Sequence, residues 1–252
     1  MQKCAIICGI FLVSSLSFMS GKTIRADLTN DKVDDIIRLG MKIVTVQDGA
    51  SGKLHTIAVG EEFLADISVD DYFSGTKGNE LAVLTLPDKG FLTEVYGYRN
   101  KRFIKVSETL PGELTFDEEL RLFGYSAHEW DRHEVLIYWP IIELEGYLKA
   151  APLAQFAETT LVVDRKKTGE FKIVLLGGTF TMVVAATLDK DVIVFLLDDD
   201  GTLIKQTKID SRIGFFGRII TEKAKTITLN IDNSQSDKTK TVHIIVKQYL
   251  YL

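Results

Sequence analysis

Short runs of strand-forming residues, separated by turn-forming residues, recur along most of the chain. Examples are KIVTVQDG, LAVLTLPDKG, DVIVFLLDDDG and KTVHIIVKQYLYL. In KTITLNID, Ile227, Leu229 and Ile231 alternate with polar residues, which is the period-two pattern of a strand with one buried face. Helical periodicity is scarce, and only ELTFDEELRLFG and VDDIIRLG are candidates for a short helix. The pattern therefore predicts an all-β fold.

The length and composition allow one large domain or two modest ones. The chain has 252 residues, of which 46% are hydrophobic, enough for a full core. A boundary is expected in LKAAPLAQFAETT, residues 148–160, which has little charge, a proline and no strong alternation. The closely spaced strand candidates that follow predict an antiparallel β-sandwich over residues 158–252.

The N-terminal segment, residues 1–26, has the three-part layout of a secretory signal peptide. A basic start at Lys3 precedes an apolar run from Cys4 to Phe18 and then small and polar residues. Spanning a membrane takes about 20 apolar residues, more than this run provides. The sequence therefore predicts cleavage and a secreted or periplasmic protein that is not an integral membrane protein.

Removal of this segment would change the chemistry of the chain. Both cysteines, Cys4 and Cys8, lie inside it, so the mature protein would have no disulfide, thiolate zinc site or cysteine nucleophile. The segment also holds three basic residues and no acidic one, so the net charge would change from −5 to −8. Such a charge disfavours non-specific binding of nucleic acid.

The stretch DLTNDKVDDII, residues 27–37, joins an acidic loop to an apolar strand. Oxygen atoms recur at alternate positions: side-chain oxygens of Asp27, Thr29, Asp31 and Asp35, and the backbone carbonyl of Val33. Calcium takes about six to eight oxygen ligands, and a loop with an oxygen at every second residue can surround one ion. The competing interpretation is the acidic start of a short helix.

This loop resembles the FG-GAP or VCBS repeats of integrin-alpha-like β-propellers, in which an acidic loop of the approximate form D-x-[DN]-x-D-G-x-x-[DE] enters a strand. The resemblance covers about residues 27–150 and implies propeller-like β-repeats over residues 27–152, with calcium as a cofactor. The ligands it implies are Asp27, Thr29, Asp31, Val33 and Asp35. The chain departs from the family at Lys32, where the repeat has a glycine that adopts the required turn more readily.

Two further copies align on their final acid and the strand after it. They are TKGNELAVLTL, aligned at Glu80, and EWDRHEVLIYW, aligned at Glu134. The intervals between the acids suit propeller blades. Counting back from Glu80 by the family spacing reaches Tyr72, Ser74 and Thr76 instead of acids. These copies are therefore expected to keep the strand entry without the calcium ligands.

The C-terminal part has two interpretations. VDRKKTGEFKIVLL, residues 163–176, can be a fourth copy, which would give one small continuous β-propeller. In the interpretation we favour, the repeats are followed by the sandwich. The stretch EFKIVLLGGTFTMVVAATLDKDVIVFLLDDDGTLIKQT resembles the pre-peptidase C-terminal domains, which are small jelly rolls of secreted bacterial peptidases. This resemblance implies a jelly-roll sandwich.

Two polar motifs are candidate metal sites. In HEWDRHE, His128 and His133 are five residues apart, whereas zinc metalloproteases place two histidines four apart on a helix. The apolar VLIYW after them indicates a loop that enters a strand, so no zinc site is predicted. DDDG at residues 198–201 lies between two strand candidates and predicts a hairpin turn.

No arrangement of residues singles out a catalytic centre, and no catalytic residue is predicted. Tyr125, Trp130, Tyr138 and Trp139 are candidates for a sugar-binding platform or for a half-buried core. The sequence predicts an exported, non-enzymatic binding protein that recognises a protein or glycan partner through loops on a β scaffold. The alternatives are a secreted hydrolase or hydrolase accessory module, and a periplasmic inhibitor or immunity protein.

Overall fold

A computed structural model of the chain describes residues 21–58, 63–73, 78–87, 90–116, 121–130, 133–187, 192–209 and 215–250. Strands make up the regular structure of these residues, and none of them lies in a helix. The prediction of an all-β fold is confirmed. The helix proposed for VDDIIRLG is wrong, because Asp35–Leu39 form a strand whose side chains alternate between buried and more exposed positions.

The N-terminal part of the chain forms three antiparallel sheets in which consecutive strands are neighbours. The first sheet contains β1 (Thr23–Ala26), β2 (Asp35–Leu39), β3 (Ile43–Gln47) and β4 (Leu54–Ala58). The second contains β5 (Leu64–Asp70), β6 (Glu80–Thr85), β7 (Leu92–Arg99) and β8 (Arg102–Lys105), with β9 (Leu110–Pro111) paired to β7. The third contains β10 (Glu113–Phe116), β11 (Leu122–Trp130), β12 (His133–Leu144) and β13 (Tyr147–Ala150). The first and third sheets have four strands each, and the second has five.

These three sheets pack in a row through separate hydrophobic clusters. One cluster joins the first and second sheets through residues that include Ile37, Val46 and Val83. Another joins the second and third sheets and includes Val95 and Ile141. Every residue of β6 is buried, because the second sheet has a neighbour on each face. This explains why ELAVLT shows no alternation between apolar and polar residues.

The row of sheets is open at the first sheet. Arg25, Arg38 and Thr56 lie on the face that points away from the cluster shared with the second sheet, and all three are exposed. In the described residues, the sheets remain separate four- or five-stranded units that do not close on themselves.

The C-terminal part is a sandwich of two antiparallel sheets with an inner core between them. One sheet has the order β14 (Leu153–Val163), β21 (Lys240–Leu250), β16 (Thr179–Ala186) and β19 (Phe215–Thr221). The other has the order β15 (Thr168–Leu175), β20 (Lys225–Asp232), β17 (Val192–Leu197) and β18 (Leu203–Ile209). Eight strands that cross repeatedly between two sheets form a jelly roll.

The third sheet packs on the outside of the sandwich. Phe123 contacts Phe180, with ring centroids 5.1 Å apart, and both belong to a cluster with Met182 and Tyr249. The backbone N–H of Tyr138 points to the sulfur of Met182 at 3.4 Å. All of β16 is therefore buried, since the sandwich core lies on one face and the third sheet on the other.

The pairing corrects three details of the repeat interpretation. The continuous propeller is wrong, because residues 163–176 span β14 and β15, which are edge strands of two different sheets. The sandwich begins at Leu153, where β14 starts, whereas the sequence placed its start at residue 158. The third copy is out of register: Asp35 and Glu80 begin the second strand of their sheets, but Glu134 lies on β12, the third strand.

Candidate functional site

The proposed calcium ligands lie where the first strand of the first sheet turns into the second. Asp27, Thr29, Asp31 and Val33 belong to the connection between β1 and β2, and Asp35 is the first residue of β2. Two other residues of the connection have left-handed backbones, Asn30 with φ of 61° and Lys32 with φ of 73°. The turn that the family makes with glycine is therefore made here with lysine, although such a conformation favours glycine.

The carboxylate of Asp35 is fully buried and accepts three backbone hydrogen bonds. Oδ2 accepts from the N–H of Leu28 at 2.8 Å and of Thr29 at 3.0 Å. Oδ1 accepts from the N–H of Gly49, beyond the end of β3, at 2.8 Å. Gly49 is required at this position, because a Cβ there would lie 2.2 Å from the carbonyl oxygen of Asp34. Asp35 thus connects the loop before its strand to the turn after the next strand.

The other acids of the loop accept local backbone hydrogen bonds. Asp27 accepts from the N–H of Asp31 at 3.2 Å and of Lys32 at 2.8 Å, and Asp31 accepts from the N–H of Val33 at 2.8 Å. Thr29 Oγ1 is buried and has no hydrogen-bond partner among the described residues. Nowhere in the described residues do three acidic, histidine or cysteine side chains lie close enough together to hold a metal ion. Calcium binding here stays a prediction from the resemblance.

Glu80 occupies the corresponding place in the second sheet. Asp35 pairs with Ala26 and Glu80 pairs with Asp70, so each acid lies opposite the last residue of the preceding strand. The register makes Asp71 the counterpart of Asp27. Counting back from Glu80 reached the neighbouring Tyr72 because the second loop is one residue longer. Ser74 and Thr76 lie outside the described residues.

The carboxylate of Glu80 is buried, and its partners among the described residues include one backbone N–H and one side chain. Oε2 accepts from the N–H of Tyr72 at 3.1 Å, and Oε1 accepts from Nη2 of Arg99 at 3.1 Å. Burial raises the pKa of Glu80, while the hydrogen bonds from Arg99 and Tyr72 act in the opposite direction. The arrangement holds the loop and the end of β7 together, as Asp35 does for the first sheet.

The described residues of HEWDRHE, 128–130 and 133–134, belong to two antiparallel strands. His128 lies on β11 opposite Val135, and His133 lies on β12 opposite Trp130. A zinc metalloprotease motif requires both histidines on one face of a helix. The apolar residues after the histidines lie in strand β12, as predicted, but His128 already lies in strand β11 and not in a loop.

The proposed platform of four aromatic residues does not form as one surface. Tyr125 and Tyr138 lie opposite each other on β11 and β12, with stacked rings 5.9 Å apart. Tyr125 also donates a hydrogen bond from its hydroxyl to Glu113. Trp139 follows Tyr138 directly, so it points to the other face of the strand. The side chain of Trp130 lies outside the described residues.

Trp139 instead belongs to a patch that we call the aromatic patch, made of Trp139, Phe156 and Lys247. The ammonium of Lys247 lies 5.4 Å from the ring centroid of Trp139 and 5.9 Å from that of Phe156. Lys247 on β21 is paired with Phe156 on β14, and Trp139 reaches them from β12 of the third sheet. Phe156 is 50% exposed, so the patch is open to solvent.

Polar side chains lie beside the aromatic patch on the same face of the sandwich. His243 Nε2 lies 2.7 Å from Oε1 of Glu158, and His243 Nδ1 lies 3.3 Å from Oγ1 of Thr160. Burial lowers the pKa of Lys247, and the nearby charge of Glu158 acts in the opposite direction. The face therefore offers aromatic carbon, a cation, a carboxylate and hydroxyl and imidazole groups within a short distance.

Sequence reasoning found only one member of this patch. The aromatic neighbours of Trp139 along the chain mark it in the sequence, but Phe156 and Lys247 lie on strands at opposite ends of the sandwich sequence. The alternation of β14 shows that Phe156 and Glu158 share a face. No local signal shows that β14 pairs with β21, so the patch is visible only in the tertiary structure.

The acidic run at residues 198–201 is a turn, as predicted. The N–H of Gly201 bonds to the carbonyl of Asp198 at 3.0 Å between strands β17 and β18. The Lys225 ammonium donates to both carboxylate oxygens of Asp198, at 2.7 and 2.8 Å. This ion pair lowers the pKa of Asp198. The acidic run therefore forms the turn of the hairpin between β17 and β18.

Comparison with known proteins gives distant structural similarity and no family. No family model matches the chain, and no curated protein matches it. An exo-β-1,3-galactanase from Phanerochaete chrysosporium aligns with 7% identity and a TM-score of 0.35, over 91% of this chain and 69% of that chain. A GH31 α-xylosidase from Xanthomonas citri aligns with 10% identity and a TM-score of 0.26, over 94% and 37%. Carbohydrate-binding modules of the β-sandwich superfamily align with 13% identity and a TM-score of 0.16, over 92% of each chain.

These structural neighbours include glycosidases and carbohydrate-binding modules, but the TM-scores are too low to support an argument about function. The part of the chain that the structure describes contains no helix with the length and hydrophobicity needed to cross a membrane.

Proposed function

We propose that the chain is an exported, non-enzymatic binding protein that recognises a glycan at the aromatic patch. The observation that supports this most is the exposed ring of Phe156 beside Trp139 and Lys247, next to the polar group of Glu158, His243 and Thr160. The C–H face of a pyranose packs on an aromatic ring, and its hydroxyls need donors and acceptors at the edge of that ring. A shallow site with a few convergent polar groups satisfies both needs.

The position of the patch supports recognition on a rigid surface. Phe156 and Lys247 lie on paired strands, and Trp139 is fixed by the contact between the third sheet and the sandwich. The aromatic faces are therefore ordered before a ligand arrives, which lowers the entropic cost of binding. Recognition is expected to use strand side chains rather than loops.

The test is a glycan array followed by calorimetry with a glycan that binds. Phe156→Ala should weaken binding by at least about tenfold, because it removes the exposed ring. Phe63→Ala is the matched control, since Phe63 is 46% exposed and has the ammonium of Lys42 5.7 Å from its ring. Absence of any glycan ligand, or equal binding by wild type and Phe156→Ala, would overturn the proposal.

Export is the second part of the proposal, and the pairing of β1 supports a signal segment that ends before this strand. Residues 23–26 pair with β2, and Ile24 and Ala26 pack against the first hydrophobic cluster. Lys22 forms an ion pair with Asp66 at 2.5 Å. A mature chain that began at Asp27 would lose this strand, so we place cleavage before Lys22. Mass spectrometry of the exported protein tests this, and a mature N-terminus at Asp27 would contradict it.

The hydrolase alternative has less support. Among the described carboxyl groups, Glu80 has a pKa raised by burial, but its oxygens are held by Arg99 and the N–H of Tyr72 inside a loop. That carboxyl stabilises the second sheet. Turnover of a defined glycan or peptide by the purified protein would favour the alternative.

A further inference from the structure

Strand β14 is a long edge strand of the sandwich with few of the features that protect such edges. It spans Leu153–Val163 and pairs on one side with β21, and among the described strands nothing pairs with its other side. Its sequence, LAQFAETTLVV, contains one charged residue, Glu158. Three large apolar side chains on it are exposed: Leu153 by 53%, Phe156 by 50% and Val162 by 61%.

The other sheet of the sandwich has better protected edges. Its edge strand β15 carries Glu170 and Lys172, and its edge strand β18 carries Lys205 and Lys208. Charged side chains on an edge strand, lysine above all, prevent pairing with another chain. β14 therefore carries fewer charged side chains than either edge strand of the other sheet.

We propose that β14 pairs with β14 of a second copy of this chain, in an antiparallel arrangement centred on Thr159. A two-fold axis perpendicular to the sheet places one residue opposite its own copy and makes the interface isologous. Centred on Thr159, the pairing runs from residue 155 to residue 163 and joins the two four-stranded sheets into one continuous sheet of eight.

This register suits the side chains of β14. Phe156 lies opposite Val162 of the second copy, which is the favourable pairing of an aromatic with a β-branched residue. Glu158 lies opposite Thr160 of the second copy. A register centred on Glu158 would instead place two carboxylates opposite each other, which is destabilising. Oε1 of Glu158 lies 2.7 Å from Nε2 of His243 in its own chain.

The small area of the β14–β14 interface predicts a weak dimer. One strand pair lies at the small end of specific interfaces, below about 1,200 Å² in total, so the dimer should form and dissociate with concentration. In this dimer the two aromatic patches lie on the same side of the joined sheet, because the two-fold axis is perpendicular to it.

Analytical ultracentrifugation of the mature protein over a wide concentration range tests the dimer. Wild type should change from monomer to dimer, and Thr159→Lys should remain monomeric, because it places two like charges at the axis. Thr207→Lys, the same change on the edge strand β18, is the control and should dimerise like wild type. A wild type that stays monomeric, or a Thr159→Lys variant that still dimerises, would overturn the proposal.

A cysteine variant tests the register. Opposite residues of an antiparallel pair have Cα atoms about 4.5 to 5.5 Å apart, within the range that a disulfide spans. Thr159→Cys, in a mature chain that lacks Cys4 and Cys8, should therefore form a covalent dimer on oxidation. Val162→Cys lies opposite Phe156 of the second copy and should not. Equal crosslinking of both variants would contradict this register.

Glycan binding separates this inference from the proposed function. At protein concentrations where wild type is monomeric, the Thr159→Lys variant should bind a monovalent glycan as wild type does, because Trp139, Phe156 and Lys247 belong to one chain. A loss of the dimer with unchanged glycan affinity supports both proposals.

Discussion

The first and second sheets both bury a carboxylate at the start of their second strand, but they hold it with different partners. Among the described residues, Asp35 accepts from the backbone N–H groups of Leu28, Thr29 and Gly49. In the same part of the chain, Glu80 accepts from the backbone N–H of Tyr72 and from the guanidinium of Arg99. In each case the acid joins the loop before its strand to the end of the third strand.

The difference indicates that the acid is kept for its structural role. The backbone of the first sheet approaches Asp35 closely on both sides, and Gly49 allows that approach. In the second sheet a long side chain, Arg99, reaches the carboxylate instead. Both loops therefore provide hydrogen-bond donors to a buried carboxylate. The donors in the first sheet are neutral backbone N–H groups, whereas those in the second sheet include a cation.

The largest expected effect is that of Asp35→Ala. The substitution leaves three backbone N–H groups without their acceptor, and we expect it to lower the free energy of unfolding by about 3 kcal/mol. Urea denaturation measures the change. Asp34→Ala, at the exposed neighbouring residue, is the control and should change stability little. A loss for Asp35→Ala no greater than for the control would refute the structural role.

Arg99→Met should have the next largest effect. It leaves Glu80 buried without its charged partner, and we expect a loss of about 2 kcal/mol at neutral pH, since Arg99 is itself partly exposed. Adding Glu80→Gln should recover part of this loss, because the buried group is then uncharged. Arg102→Met, on the exposed start of β8, is the control. Additive effects of Arg99→Met and Glu80→Gln would mean that the two residues do not interact.

The pH dependence of stability should show the effect of the raised pKa of Glu80. Burial raises the pKa of Glu80 above that of the unfolded chain, so the folded state holds this proton more tightly. The contribution of Glu80 to stability is then fully present below the unfolded pKa of about 4.3 and is lost as pH rises through the folded pKa. Relative to Glu80→Gln, wild type should lose stability with rising pH in this window. Parallel stability curves for the two proteins would contradict this assignment.

Lys32→Gly should have a smaller, stabilising effect. Lys32 has φ of 73°, where a residue with a Cβ is strained and glycine is not. We expect a gain of about 0.5 kcal/mol, since the greater freedom of glycine in the unfolded chain offsets part of the relief. Lys53→Gly, at a residue without a positive φ, should be neutral or destabilising. A loss of stability in Lys32→Gly would show that the lysine side chain contributes there.

Addition of calcium should have the smallest effect on the stability of the protein. An ion that binds only the folded state raises the melting temperature by mass action. The carboxylates of Asp27 and Asp35 already accept backbone hydrogen bonds, so we expect a rise of no more than about 1 °C at millimolar calcium. Thermal melting with calcium and with chelator measures it. A larger rise that is lost in Asp31→Asn would establish a strong calcium site.

The sequence alone was sufficient for the class of the fold and for the position of the key acids. Alternation in KTITLNID and the turn at residues 198–201 predicted elements that the structure contains. The acid-to-strand pattern located Asp35 and Glu80 correctly at the start of a strand. It placed Glu134 in the wrong strand of its sheet, because an acid before an apolar run does not tell which strand of the sheet follows.

The sequence by itself determined that this chain is built from antiparallel strands, since residue alternation and turn residues act locally. The tertiary structure decided which strands are neighbours, and with that the aromatic patch, the free edge of β14 and the partners of the two buried acids. The physical reason is that alternation specifies which face of a strand is buried but not which strand lies beside it. Trp139, Phe156 and Lys247 come together only because β14 pairs with β21 and the third sheet packs on the sandwich.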